Sequence, residues 1–159
     1  MTKLKVQENN LQVLSLLQSV VNGETTSRNL YFARAVFWDN IGIHKLAEYY
    51  EKQSQEDHCQ LSADRMAFLG EQPAFSPSSV QPLTEESIAE QYRIDLQVEV
   101  ALAENYTESI KTAETLGDYV TAQIWKGVLQ STQEHCAYLQ QELKKIELVG
   151  EENYLTTWI

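Results

Sequence analysis

All three prolines of this 159-residue chain, Pro73, Pro77 and Pro82, fall within ten residues near its middle. Proline has no backbone N–H to give and clashes with the turn before it, so no helix runs through this stretch. On either side, apolar residues recur at alternating three- and four-residue steps. Leu14, Leu17, Val21, Tyr31, Ala35 and Trp38 form one stripe, and Ile88, Tyr92, Leu96, Ala103, Tyr106 and Ile110 form another. That spacing belongs to helices with one buried face. The chain is therefore expected to be all-α, with a pair of long helices on each side of a proline-rich crossover.

Local punctuation sets the boundaries. Asp39-Asn40-Ile41-Gly42 and Leu116-Gly117-Asp118 read as turns, and Gly150 closes the last long helix. Thr84 and Ser87, with the acidic Glu85-Glu86 between them, read as a helix start. The expected helices are 10–39, 43–70, 84–114, 118–148 and a short 151–158, with 71–83 as the crossover. Leu46, Tyr50, Leu61 and Phe68 are core candidates of the second helix, and Ile124, Val128, Leu139 and Ile146 of the fourth. Long helices joined by a short turn, a long crossover and a short turn describe a ferritin-like four-helix bundle with a short fifth C-terminal helix. The length suits one domain over residues 1–159.

Composition narrows the function classes. A hydrophobic share of 43% is too high for a disordered chain. The formal net charge of -11 argues against nucleic acid, which needs a basic surface, and suits attraction of cations. No apolar run approaches the roughly 18 residues of a membrane span. Met1–Asn10 carries no apolar stretch, so no signal peptide is expected. Two cysteines are too few for a disulfide framework and point to the cytoplasm.

The chemistry is written twice. Gln53-Ser54-Gln55-Glu56-Asp57-His58-Cys59 has its counterpart in Gln130-Ser131-Thr132-Gln133-Glu134-His135-Cys136. Glu24 precedes Tyr31 by seven residues, as Glu99 precedes Tyr106. Glu24 falls on the inward stripe 14, 17, 21, 24, 28, 31, 35. A carboxylate at a core position costs several kcal/mol unless paired or bound to metal. Two carboxylates and two histidines at one depth are ligands suited to iron, with Tyr31 and Tyr106 as redox or structural neighbours. Metal binding by Glu24, His58, Glu99 and His135 and a purely hydrogen-bonded polar layer remain equal alternatives. Arg28, one turn after Glu24, is expected to enter the layer as an internal ion pair or else to extend from the bundle edge. Cys59 and Cys136 follow the histidines, but helical neighbours point about 100° apart, so packing is expected rather than a zinc site.

Asn29-Leu30-Tyr31-Phe32 after Glu24, Ala63-Asp64-Arg65 after His58, Asp95-Leu96 before Glu99, and the tail Glu152-Asn153-Tyr154-Leu155 carry a specific likeness. Over nearly its whole length the chain resembles a bacterioferritin subunit. The resemblance implies a 24-subunit cage that oxidises ferrous iron and stores ferric mineral. It also implies that the short last helix lines four-fold pores, with Asn153 and Thr156 as pore residues. The family's di-iron site takes one glutamate from each of helices one and three and a Glu-x-x-His from each of helices two and four. Here Glu24, Glu99, His58 and His135 match, but the two iron-bridging positions are Gln55 and Thr132. The family's haem methionine is replaced by Glu56, so haem is not expected. A further inner-surface iron site is replaced by Tyr50 and Ser54.

The resulting expectation is an iron-storage cage subunit with a degenerate ferroxidase centre, sharing its cage with itself or with homologous competent subunits. The alternatives are a slow ferroxidase using Glu24, His58, Glu99 and His135, and a structural protein without an iron role.

Overall fold

The structure is a computed structural model that describes residues 8–84 and 87–159. The extreme N-terminus, including Met1, and the pair Glu85-Glu86 lie outside the described residues. Among the described residues six helices follow in order: α1 (Glu8–Asn40), α2 (His44–Ser54), α3 (His58–Phe68), α4 (Ile88–Thr115), α5 (Tyr119–Val149) and α6 (Glu151–Thr156). No strand occurs among the described residues. The turn after α1 uses Gly42 at φ +87°, a left-handed conformation that an L-residue rarely adopts. Ser87 caps α4 by accepting the Glu90 N–H at 3.0 Å, and Asp118 caps α5 by accepting that of Thr121 at 3.0 Å.

Cross-helix hydrogen bonds define the topology. Glu24 of α1 meets Tyr106 of α4, Tyr31 meets Glu99, Arg34 meets Asp95, and Trp38 meets Gln91. Numbers rise along one helix as they fall along the other, so α1 and α4 are antiparallel. Tyr49 with His135 and Ser62 with Trp125 give the same relation between α2–α3 and α5. This is the ferritin-like bundle, and it requires the crossover to run the length of the molecule. The crossover is held to α1 by a polar ladder one helical turn apart. Gln18 exchanges two hydrogen bonds with the backbone of Ala74 (2.7 and 2.9 Å). Asn22 accepts the Ser76 N–H, and Thr26 accepts that of Ser78, each at 3.0 Å.

The expected second helix, 43–70, is divided. Gln55, Glu56 and Asp57 interrupt it between α2 and α3. The Ser54 hydroxyl donates to the Glu51 carbonyl at 2.6 Å, and the Gln55 N–H folds back to the Lys52 carbonyl at 3.1 Å. These tight i−3 contacts end α2. The break advances the inward phase by about one position. Leu46 and Tyr50 are buried as expected, but α3 buries Cys59, Ser62, Ala63 and Met66. Leu61 and Phe68, expected in the core, are exposed for that reason.

Two apolar clusters fill the bundle. One gathers Val13, Leu17, Val21, Met66, Tyr106 and Trp125; the other gathers Tyr31, Trp38, Leu46, Ile88, Tyr92 and Leu139. Between their centres lies the polar layer of Glu24, Ser27, Glu99 and Thr132, all buried.

A buried ion pair sits beside this layer, and of the two expectations for Arg28 the structure has the one at the bundle edge. Arg28 is exposed and forms no ion pair among the described residues. A 3.6-residue step from Glu24 falls between positions 27 and 28, and the small Ser27 takes the inward place. Arg34, 1% exposed, pairs with Asp95 and donates to the Gln91 carbonyl at 3.2 Å. The Tyr50 hydroxyl donates to the other Asp95 oxygen at 3.3 Å. Replacing Arg34 with methionine leaves Asp95 as an uncompensated buried charge. This is expected to cost about 3–5 kcal/mol, read from denaturant unfolding. A double Arg34→Met/Asp95→Leu variant is expected to recover much of that loss.

Candidate metal centre

α1, α3, α4 and α5 bring the repeated motif together at the mid-bundle. Glu24 and Glu99 are each 6% exposed. Each accepts a hydrogen bond from the tyrosine of the opposite helix: Tyr106 to Glu24 Oε1 and Tyr31 to Glu99 Oε1, both at 2.6 Å. Burial first, and the neighbouring carboxylate second, push both phenols well above their usual pKa, so they remain proton donors. The seven-residue spacing, two helical turns, is what lets an antiparallel pair make both bonds.

The histidines join the carboxylates unequally. His135 Nδ1 lies 3.2 Å from Glu99 Oε1, and its Nε2 lies 2.8 Å from the Tyr49 hydroxyl. The Tyr49 hydroxyl, kept a proton donor by burial, donates to Nε2, which leaves the Nδ1 side of the ring facing Glu99. His58 is held more loosely: Nδ1 is 3.9 Å from Glu24 Oε2, and Nε2 is 3.4 Å from Glu56 Oε2. Among the described residues His58 makes no hydrogen bond, and its two carboxylate neighbours stand only at ion-pair distance. A cavity of about 20 Å³, room for roughly one water, is lined by residues including Glu24, Glu56, His58, Glu99, Gln53 and Arg28.

The two bridging positions do not join this group. Gln55 is exposed within the helix break. Thr132 is buried, but its hydroxyl donates to the Val128 carbonyl of its own helix at 2.9 Å. Among the described residues, no group of three or more His, Cys, Asp or Glu side chains is gathered closely enough to hold a metal ion. Tyr50 and Ser54, read as replacements on an inner surface, are both buried within the bundle. The Cys59 thiol packs 3.4 Å from the Thr25 hydroxyl. Asn153 and Thr156 are exposed on α6, bonded to the carbonyls of Val149 and Asn153 at 2.8 and 2.7 Å.

Two participants escape the sequence reading. Glu56 reaches His58 only because the helix breaks beside it. Tyr49 reaches His135 from a Tyr49-Tyr50 pair whose members face different directions, one into the core and one to its flank. That doublet is a usable signal, since adjacent helical residues point about 100° apart.

Residues 14–149 match the ferritin-like domain family, so the chain belongs to that family. Among curated relatives, the bacterial ferritin of Neisseria meningitidis serogroup B is 29% identical over 150 residues, covering 92% of this chain and 96% of its own length. The bacterioferritin of Streptomyces coelicolor is 27% identical over 150 residues (93% and 89%), and the bacterial ferritin of Synechocystis sp. is 29% identical over 147 (90% and 93%).

Burial raises the Glu24 pKa above its ordinary 4.5, opposed by the Tyr106 hydrogen bond and the nearby His58. The folded chain thus holds this proton more tightly than the unfolded chain. Glu24 favours folding at acid pH and costs stability as pH rises through its raised value. Metal-free Glu24→Gln, which keeps an acceptor for Tyr106, is expected to unfold at higher denaturant than the parent at pH 7. The difference should shrink as pH falls toward 4.5, which paired titrations of unfolding midpoint against pH will read.

Proposed function

We propose that this chain is a subunit of a bacterioferritin-like iron-storage cage, that its own ferroxidase centre is degenerate, and that it shares the cage with homologous subunits whose centres are complete. The carrying observation is the fate of the two bridging positions: Gln55 lies in solvent at a helix break, and the Thr132 hydroxyl is turned to its own backbone. A bridging carboxylate offsets charge on two cations at once. Without two of them, Glu24 and Glu99 face two divalent ions in a low-dielectric interior, where the ions' mutual repulsion is strong. The donor set therefore does not fit a carboxylate-bridged iron pair. The hydrogen bond that ties His135 Nε2 to the Tyr49 hydroxyl at 2.8 Å supports the same reading.

Other features support the shell role. The acidic surface favours iron as cargo. Phe32 and Val36 on α1 and Phe68 on α3 are more than half exposed, the kind of apolar surface that a neighbouring subunit covers. Asn153 and Thr156 on α6 offer polar side chains suited to a pore lining.

A second reading rests on one observation: Glu24, His58 and Glu99 line the same small cavity, with His135 against Glu99. In that reading the chain itself holds iron weakly and oxidises it slowly.

Two measurements separate these readings. Ferrous iron added in air to the metal-free homo-oligomer, at about two ions per subunit as a dinuclear centre requires, is expected to form ferric product no faster than in buffer. A fast oxygen-consuming phase at that ratio would favour the second reading. Cages purified from the native source are expected to contain iron and a second, competent kind of subunit. Iron-loaded cages of this chain alone would count against a shared shell, and iron-free cages would mean a structural protein.

A further inference from the structure

A second pocket lies away from the polar layer, where the start of α2, the C-terminal part of α5 and α6 converge. Its volume is about 560 Å³, within the roughly 300–1,000 Å³ of small-molecule sites. Tyr138, Tyr154 and Trp158 supply aromatic walls, and Lys45, Lys145 and Glu142 supply charge. The aromatic walls are braced. Trp158 packs on Tyr49 and Tyr154 with ring centroids 5.8 and 6.3 Å apart, and Tyr138 lies 5.5 Å from Tyr49 and stacks on His135 at 6.2 Å.

The polar groups of this pocket are unevenly spent. Glu142 is the only acidic group in its lining, and both its oxygens are used: Oε1 accepts from Lys145 and Oε2 from the Tyr154 hydroxyl, each at 2.6 Å. The Thr157 hydroxyl already donates to the Tyr154 carbonyl at 2.7 Å. The donors are in surplus. Lys45 has no ion-pair partner among the described residues, whereas the Trp158 indole N–H is buried beside the Tyr154 hydroxyl. Two lysines against one glutamate make the pocket locally positive on a chain whose net charge is -11.

We propose that this pocket binds a small planar aromatic carboxylate, with its ring among Tyr138, Tyr154 and Trp158 and its carboxylate at Lys45. A cation would meet the unpaired Lys45 ammonium and no open carboxylate. A bare inorganic anion would leave the aromatic walls uncovered. A neutral aromatic would leave the Lys45 charge unanswered. Flat rings offer the stacking faces, and the anion offers the acceptors the lining lacks.

The test uses the assembled oligomer and two probes of matched shape, 1-naphthoate and the neutral 1-naphthalenemethanol, by isothermal titration calorimetry. Trp158 fluorescence provides a second readout, since Trp38 and Trp125 are buried in the cores and report little on this pocket. The expected result is that naphthoate binds more tightly than the alcohol and quenches tryptophan emission. Lys45→Gln, a change at an exposed position, is expected to weaken naphthoate about three- to fivefold, as suits one partly screened charge, and to leave the alcohol unchanged. Trp158→Phe should abolish the quenching and weaken both probes. Equal binding of acid and alcohol, naphthoate affinity indifferent to Lys45→Gln, or no binding at millimolar probe would each overturn the proposal. None of these outcomes depends on iron, so the assignment stands or falls apart from the storage reading.

Discussion

Two carboxylates at the centre of a helical bundle set the terms for everything around them. Glu24 and Glu99 are buried where a charge or an open acceptor costs several kcal/mol. Each is answered by a tyrosine from the opposite helix and by a histidine from a third. The reciprocal tyrosine bonds fix the register of α1 against α4, because a one-residue slip would strand both carboxylates at once. That register in turn aligns Arg34 with Asp95 and Trp38 with Gln91 further along the same helices. Apolar packing then fills the two ends of the bundle, while the polar middle selects which packing is allowed.

Much of this frame was legible from periodicity. The stripe of α1, the proline crossover, the helix start at Ser87, the turn at Leu116-Gly117-Asp118 and the twice-written Glu/Tyr motif each have a local physical signature, and each corresponds to an element or contact of the fold. Three features had no such signature. A 3.6-residue period does not decide between positions 27 and 28, so the inward place went to Ser27 rather than Arg28 through packing that only the assembled bundle supplies. The partner of Asp95 is sixty-one residues away in sequence, and nothing local marks Arg34 as its mate. The break at 55–57 arises where Ser54 and Gln55 bond back to their own turn, in a segment whose composition also suits an unbroken helix.

That break bears on the candidate site more than any single substitution. In an unbroken helix, positions 55 and 58 share one face, so a glutamate at 55 would stand beside His58. Here the chain leaves helical geometry between them, and Glu56 approaches His58 from outside instead. A glutamine at 55 and a helix that breaks at 55–57 are consistent with one another, and the backbone contacts of a short turn hold the segment. Thr132 follows the same logic by a different route, staying in its helix and satisfying its hydroxyl there.

The two halves of the repeat differ in tightness. His135 is clamped between Glu99 and Tyr49 at 3.2 and 2.8 Å, against aromatic rings that continue to Tyr138. His58 has only longer contacts, 3.9 and 3.4 Å, and one of them is to the exposed Glu56. Freeing the His135 imidazole for a cation means breaking a short hydrogen bond to a tyrosine whose own pKa burial holds well above normal, so that the phenol stays a donor. Freeing His58 requires only a side-chain rotation at the edge of a helix break. His58 is therefore the more readily released of the two imidazoles. In the other half a carboxylate, an imidazole and two phenols satisfy one another and hold the middle of the bundle.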